Sequence, residues 1–437
     1  MAPTALAKAG LMLRFFIYML GSRISMLKQA VAVKRVLKHQ QQLSKRPDKE
    51  SPRNIVIVGA SFAGYEAARV IATSLPEDSP YRVVVIEPSS HFHFTWILPR
   101  VCVVEGHEHK ALIPYGSHLK GAVRGRLRWV TGGVTSVSRD AVRLEGDDGE
   151  VIPYAYLVVA TGASAGDGLP SRVPSPRKEE GLERIRSMQR RIAGAKRIVV
   201  VGGGAAGVEL ATDAKHKYPD KHVMLVHSRP AVMHRFGPEL QAAALKGLED
   251  LGVEVLLNER AAVDAQGRLV TLRSGTKIEC DLYVSCVGQR PSSHIIAELS
   301  PAAILESGHI RVKPTLQIGD ESLPNIYACG DVADTGMKNP NGRAAMMQGM
   351  VVGYNIGLAI SGEEPSVMYD AHWADAMIKL TLGLDKSIMH FGDEETEFLW
   401  HTKEKDVALM ADGAWEHMGA KPFKDDKDLL AQYRQAI

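Results

Sequence analysis

A chain of 437 residues and 47.6 kDa is too long for one ordinary domain, so two or three folding units are expected. With 45% hydrophobic and 24% charged residues it can bury large cores, which excludes a disordered or fibrous chain and a polytopic membrane protein. Its four cysteines include no C-x-x-C pair, which excludes a disulfide-stapled secreted scaffold, a zinc ribbon and a thioredoxin-type motif, and its formal charge is only +3.

That charge is unevenly spread. Residues 1–47 hold nine Lys and Arg and no acid, leaving 44 basic against 50 acidic residues in the remainder, a net charge of −6. A nucleic-acid-binding surface therefore has no support in the body of the protein. The leader carries an apolar stretch, Leu11 to Leu20, broken by Arg14 and flanked by Lys8, Arg23 and Lys28. At roughly ten residues it falls short of the roughly 20 that a spanning helix needs. A basic, acid-free amphipathic segment predicts either a mitochondrial targeting sequence or a helix lying in a membrane interface. The alternative is a helix packed on the protein's own surface. No Gly follows Met1, which excludes N-myristoylation. His39 to Pro52 reads as a polar linker, so residues 1–52 form a basic leader and linker.

Ile55 to Val58 is a β-rich run that enters Gly59-Ala-Ser-Phe-Ala-Gly64, followed by an Ala-rich helical segment and a second strand, Val83 to Ile86, ending at Glu87. Strand, glycine turn, helix, strand and acid follow in the order a dinucleotide fold requires. Gly59 permits the tight turn, Gly64 lets helix and strand approach, and the helix N-terminus offers amides to a pyrophosphate. Glu87 is placed to accept hydrogen bonds from an adenosine ribose. Ser61 stands where the middle glycine normally sits and is small enough for close approach.

The pattern recurs. Ile198 to Val201 leads into Gly202-Gly-Gly-Ala-Ala-Gly207, a helical segment to Tyr218, and the strand Val223 to Val226. All three motif glycines, Gly202, Gly204 and Gly207, are present. One such motif alone is weak, but two complete units in context predict that the chain binds two dinucleotides. The second unit ends on His227-Ser228-Arg229, with no carboxylate at the acid position. Ser228 and Arg229 can donate to a 2′-phosphate that a carboxylate would repel, so NADPH is expected to be accepted.

Val158-Val-Ala-Thr-Gly162 reads as a buried strand and turn, with Ala160 and Gly162 beside the first nucleotide, where the chain crosses between units. Val284 to Gly288, followed by Gln289-Arg-Pro291, marks the return, and Asn325 to Asp331 closes the first unit. Two crossings and a returning strand imply that the second Rossmann unit is inserted into the first. With these residues the chain resembles the two-dinucleotide flavoprotein reductases, especially the apoptosis-inducing-factor group in its mitochondrion-associated, ferroptosis-suppressor-like branch. The likeness rests on Val58 to Gly64, Ala160 to Gly162, Gly202 to Glu209, Tyr218 to Ser228, Val287 to Pro291 and Ala328 to Asp331, and spans about residues 53–390.

The resemblance implies FAD in the first fold, with Asp331 hydrogen-bonding its ribityl or phosphate region. It implies NAD(P)H in the second, with Glu209 near the nicotinamide end, and places His91 to Pro99 past the flavin ring. The disulfide reductases of the superfamily need a redox cysteine pair after the first βαβ unit. That region offers only Cys102, so disulfide reduction is not expected, and Cys280, Cys286 and Cys329 read as packing residues. Related quinone reductases carry glutamines after the Gly-Asp motif, where this chain keeps only Gln348, with Arg343 and two methionines nearby. His91 and His93 lack further ligands for a metal, so no metal site is expected. Trp373, Trp400 and Trp415 read as core or interface residues, and no nucleophile elbow is recognisable.

The expected architecture is α/β, with two Rossmann-type domains and a small C-terminal α+β domain. The FAD domain is split over 53–165 and 288–365, the NAD(P)H domain occupies 166–287, and the C-terminal domain 366–437 includes strands at Ile388 to Phe391 and Glu397 to Trp400 and a helix from Lys427. The expected activity passes a hydride from NAD(P)H to FAD, then electrons to a quinone-like or other small acceptor, and no side chain is assigned as a catalytic acid or base. The alternatives are an enzyme acting on a specific metabolite in a biosynthetic pathway and a redox-signalling flavoprotein of low turnover. A mitochondrial or peripheral, cytosol-facing membrane location is expected, otherwise a cytoplasmic one, and a homodimer is possible from the family likeness.

Overall fold

The computed structural model describes residues 5–43, 52–123, 125–146, 149–164, 168–169, 175–425 and 429–434. In chain order the elements that place the site are α1 (Ala5–Leu43), β1 (Arg53–Val58), α2 (Phe62–Ser74), β2 (Tyr81–Ile86), β3 (Leu127–Val130), β4 (Tyr156–Val159) and α3 (Lys178–Gly194). They continue with β5 (Arg197–Val201), α4 (Ala205–Lys217), β6 (His222–Val226), α5 (Pro238–Leu251), β7 (Glu254–Leu256), β8 (Leu282–Ser285) and β9 (Ile326–Ala328). The chain then forms α6 (Gly342–Ile360), β10 (Ile378–Thr381), β11 (Lys386–Gly392), β12 (Glu397–Lys403) and α7 (Ala411–His417).

The strands of the first sheet, in the order β9-β4-β1-β2-β3, are all parallel. Ile55 to Val58 are buried on both faces, as expected for a parallel strand covered by helices on each side. Val58 pairs with Ile86 of β2 and with Val159 of β4, so three strand ends reach one edge together. The chain leaves β1 in one direction and β4 lies on the other side, which opens a crevice at the carboxyl ends of the strands. The second sheet, β7-β6-β5-β8, repeats this arrangement with β5 in the middle.

This is the doubly wound α/β architecture, with the second Rossmann unit inserted between β4 and β9 of the first. The outgoing and returning crossings pair with each other, Ala163 opposite Pro291 and Ser164 opposite Arg290. Strands β10, β11 and β12 form an antiparallel sheet that contains Ile388 to Phe391 and Glu397 to Trp400, whereas α7 packs on the first unit, where Trp415 bonds to Lys110. Residues 165–167, where the first crossing was placed, and Lys427, where a terminal helix was expected to begin, lie outside the described residues; Ala431–Arg434 is a single helical turn.

The leader differs from its reading in the sequence. It is one 39-residue helix, not a ten-residue apolar stretch, and Ala5–Leu37 is long and apolar enough to cross a membrane by length and composition. Nor is it amphipathic in the one-sided sense. Leu11, Phe15, Val33 and Leu37 are buried against the body, while Leu6, Leu13, Phe16, Ile17, Leu20, Ile24, Leu27 and Val31 are exposed. The exposed set runs mostly in steps of three or four residues and the buried set forms two pairs four residues apart, so apolar residues fall on two faces where one stripe was expected. Phe15 stacks on Phe391 at 4.5 Å, Lys8 pairs with Glu239 at 3.1 Å, and Arg14 pairs with Asp393 at 2.7 Å.

Candidate functional site

The first glycine loop joins β1 to α2 at the crevice. Gly59 has φ of +93°, and a Cβ there would lie 2.5 Å from the carbonyl oxygen of Ala160. Only glycine fits so tight a crossing of β1 and the end of β4. A Cβ on Gly64 would lie 1.9 Å from the Gly59 oxygen, so the start of α2 packs directly on the loop. Ser61 is the N-cap residue of α2, and its hydroxyl makes no cap bond. The amides of the first turn therefore face the crevice without a side chain across them, as a pyrophosphate requires.

Glu87 closes the far side of this loop. Its Oε2 accepts the Ala60 amide at 2.7 Å and its Oε1 accepts the Ser89 amide at 2.8 Å. Each oxygen keeps a lone pair for a ribose hydroxyl, so the fixed carboxylate suits the role read from sequence. Gly59, Ser61, Glu87, Ala160, Gly162 and Asp331 line one cleft with roughly 1100 Å³ of empty space, part of it open to solvent. His91, His93 and Thr95 join that lining, which is where the segment past the flavin ring was expected. Gly64 stands behind the wall rather than in it. An extended dinucleotide fits a groove of this size and polarity.

Asp331 follows the buried strand β9 and also lines a second space of roughly 690 Å³, which shares Gly330, Pro340, Asn341 and Ala345 with the first. Arg235, from the second nucleotide unit, stands on the wall of this space, so the two units meet beside Asp331. The loop holding Asp331 is fixed by Gln348, whose Oε1 accepts the Gly330 amide at 2.8 Å and whose Nε2 donates to Thr335 at 3.2 Å. Gln348 is buried and acts as a brace for the Gly-Asp loop, and it also lines the second space. Asn341 caps α6 by accepting the Ala344 amide at 3.0 Å and lines both spaces. An Asn directly before a Gly-Arg-Ala-Ala helix start is a capping signal that the sequence did contain.

The second glycine loop has the same corner. Gly202 has φ of +120°, and a Cβ on Gly207 would lie 1.8 Å from its carbonyl oxygen, whereas a Cβ on Gly204 would meet nothing within 4 Å. Gly204 is the N-cap of α4, so the open space lies where the phosphates of a nucleotide would rest. At the end of β6, Ser228 and Arg229 are exposed and His227 is buried. The Gly203 amide donates to Nδ1 of His227 at 3.1 Å, which places the ring proton on Nε2 and lets it donate to Nδ1 of His234 at 3.3 Å. Burial, then the neighbouring His234 and Arg229, push the His227 imidazolium down to about 4. A neutral imidazole thus fills the position of the missing acid; its link to His234, seven residues on, is not visible from local pattern.

Glu209 does not face the glycine loop. Its Oε1 accepts the amide of Thr381 at 3.1 Å and its hydroxyl at 3.3 Å, tying α4 to β10 of the C-terminal sheet. Burial raises its carboxyl to about 8, so it is largely protonated at neutral pH. One turn further on, Asp213 accepts from Nε of Arg100 at 2.7 Å while Nη2 of Arg100 donates to the Gly383 carbonyl at 2.9 Å. Both side chains are buried, so Arg100 joins the first unit, the second unit and the C-terminal domain around the junction. Its place in an otherwise apolar Ile-Leu-Pro-Arg-Val-Cys run was the overlooked signal, because a charge there requires a buried partner.

The four cysteines are unpaired thiols. Burial raises Cys102, and it pushes Cys286 and Cys329 up to about 12, so none is poised as a thiolate. His91 is held by Asp425 at 2.6 Å and Ser90 at 2.9 Å. Among the described residues no group of three or more His, Cys, Asp and Glu could hold a metal. Trp415 is buried and donates to the Lys110 carbonyl at 2.9 Å, and Trp373 packs against Phe15, but Trp400 is exposed on β12.

The sequence family described as pyridine nucleotide-disulphide oxidoreductase matches residues 53–349. The chain is 33% identical over 357 residues to Fe-regulated protein 8 of Mycosarcoma maydis, covering 77% of this chain and 88% of that one. It is 30% identical over 292 residues to ferroptosis suppressor protein 1 of Homo sapiens, covering 64% and 74% respectively. Its fold is similar to that of a water-forming NADH oxidase from Lactobacillus brevis bound to NADH, with a TM-score of 0.61 at 20% identity over 78% of this chain and 75% of that one. Two Rossmann cradles and these relatives lead to one conclusion: the chain belongs to the pyridine nucleotide-disulphide oxidoreductase family and is an FAD-dependent NAD(P)H oxidoreductase.

Proposed function

We propose that the protein carries electrons from NAD(P)H to a quinone-like small acceptor at a membrane surface, mitochondrial or cytosol-facing. Hydride transfer between nicotinamide and flavin is the chemistry the two cofactors supply. The chain's share is to hold them. Gly59, Ser61, Glu87 and Asp331 would hold the flavin nucleotide, and Gly202 to Gly207 with Ser228 and Arg229 would hold NAD(P)H. Gln348 keeps Asp331 in place through Gly330, and Arg100 with Asp213 fixes the two units against each other, which is how a protein positions two reactants and excludes water.

One observation carries the acceptor reading. Helix α1 lies along α6, with Met19 touching Arg343 near its start and Val33 packed against Gly357 near its end, and Asn341, Gly342 and Ala345 at that start line the flavin cleft. An apolar surface beside the cleft suits an apolar, lipid-soluble acceptor. The buried thiols support the same reading by removing the dithiol relay that a disulfide substrate needs. The test is steady-state turnover of the purified protein with NADH or NADPH against short-chain quinones, ferricyanide and oxygen. Quinone reduction clearly faster than oxygen reduction is expected; oxygen as the sole efficient acceptor would overturn the reading.

A further inference from the structure

We propose that α1 is an in-plane dock for an anionic lipid bilayer, and that it brings the Asn341 wall of the flavin cleft to the lipid surface. The inference deepens the peripheral-membrane reading above and rests on it, but not on which acceptor is reduced. The outward stripe is Leu6, Leu13, Ile17, Leu20, Ile24, Leu27 and Val31, all exposed and spaced by three, four or seven residues. So regular a band, held outward along most of a 39-residue helix, needs a partner.

Charge decides which partner. The same helix carries Arg14, Arg23, Lys28, Lys34 and Arg35 and no acid. A second copy of α1 packed on this stripe would face basic residues with basic residues across the seam, whereas coiled-coil pairing uses opposite charges there. An anionic lipid surface matches both the apolar band and its basic flanks. The inner face decides the orientation. Lys8 is tied to Glu239 in α5, Arg14 to Asp393 beyond β11, and Leu11, Phe15, Val33 and Leu37 are buried against the body. Crossing a bilayer would break all of these contacts and place Arg14, Arg23 and Lys28 in hydrocarbon. Lying in the interface breaks none of them.

The dock is joined to the cleft by two hydrogen bonds. Tyr18 of α1 stacks on His372 at 3.7 Å and donates to Oδ2 of Asp375 at 2.7 Å. Asn341 donates through Nδ2 to the Asp375 carbonyl at 2.9 Å, and its side chain also lines the cleft. The helix that meets lipid is therefore joined through Asp375 to the Asn341 wall of the flavin cleft.

The test uses full-length, flavin-loaded protein and cosedimentation with vesicles of phosphatidylcholine, with or without phosphatidylglycerol. Wild type is expected to bind the anionic vesicles and to be released by high salt. The triple variant Leu13→Gln, Ile17→Gln, Leu20→Gln should lose at least roughly tenfold in vesicle affinity while its melting temperature and ferricyanide turnover stay as in wild type. Arg23→Gln with Lys28→Gln should lose the preference for anionic lipid. Wild type that does not bind vesicles, a triple variant that binds as wild type does, or protein that high salt cannot release would each overturn the proposal. So would light scattering that shows a wild-type dimer turned monomeric by the triple substitution, with vesicle binding unchanged. Failure of the acceptor reading looks different: vesicle binding intact and no quinone reduced.

Discussion

Replacing Glu66 by Gln measures how strongly the flavin domain depends on one buried carboxylate. Glu66 lies in α2, just beyond the glycine loop, and its side chain is almost wholly buried. Burial alone would raise its carboxyl, but hydrogen bonds from His118, at 2.7 Å, and from Arg69 outweigh it and bring the group down to about 2 from an ordinary 4.5. A fall of that size corresponds to about 3 kcal/mol of folding stability, at about 1.4 kcal/mol per pH unit. Because the folded carboxyl is the stronger acid, this contribution is complete above pH 4.5 and is lost as pH falls from 4.5 towards 2. Gln is a permanent stand-in for the protonated acid. Glu66→Gln is therefore expected to cost about 3 kcal/mol at pH 7, and the gap to wild type should close steadily below pH 4.5. Urea unfolding followed by flavin fluorescence at a series of pH values reads both numbers. A loss under about 1 kcal/mol, or a gap that does not change with pH, would refute the assignment of Glu66 as an ionised, doubly paired buried group.

Glu209 should show the opposite sign. Its folded carboxyl, near 8, is a weaker acid than in the unfolded chain, so it lowers stability as pH rises from 4.5 towards 8; Glu209→Gln should be more stable than wild type at pH 8 and equal to it at pH 4, by the same unfolding assay. Asp331→Ala is expected to lose most of the bound flavin, and Gln348→Leu, which strands the Gly330 amide, should weaken flavin retention by about 1–3 kcal/mol, both read from the ratio of flavin to protein absorbance; full occupancy in either would remove that residue from the site. NADPH should be used at least as well as NADH, and Arg229→Ala should cost NADPH alone about 1.5–3 kcal/mol in kcat/KM, whereas an equal loss for both nucleotides would place Arg229 away from a 2′-phosphate. His227→Glu should shift preference towards NADH by supplying a ribose acceptor and repelling that phosphate.

The sequence by itself determined both nucleotide folds and their nesting. Glycines at 59, 64, 202 and 207 are legible because each answers a local demand: a positive φ, or a helix resting on the strand that precedes it. Parallel strands buried on both faces read as unbroken apolar runs for an equally local reason. What only the tertiary structure decided are contacts between residues far apart in the chain. Glu209 carries a motif position, yet its carboxyl is bound by Thr381, 172 residues away. Arg100 finds Asp213 and Gly383 in two other parts of the molecule, and Gln348 braces the Gly330 loop, 18 residues before it. The leader shows the limit most plainly. Its two stripes are present in the sequence, but which one faces the body depends on Asp375, Phe391 and Gly357, none of which has any local relation to α1. Local steric demands are written in neighbouring residues, whereas the partner of a buried charge or a helix face is chosen by the packing of the whole chain.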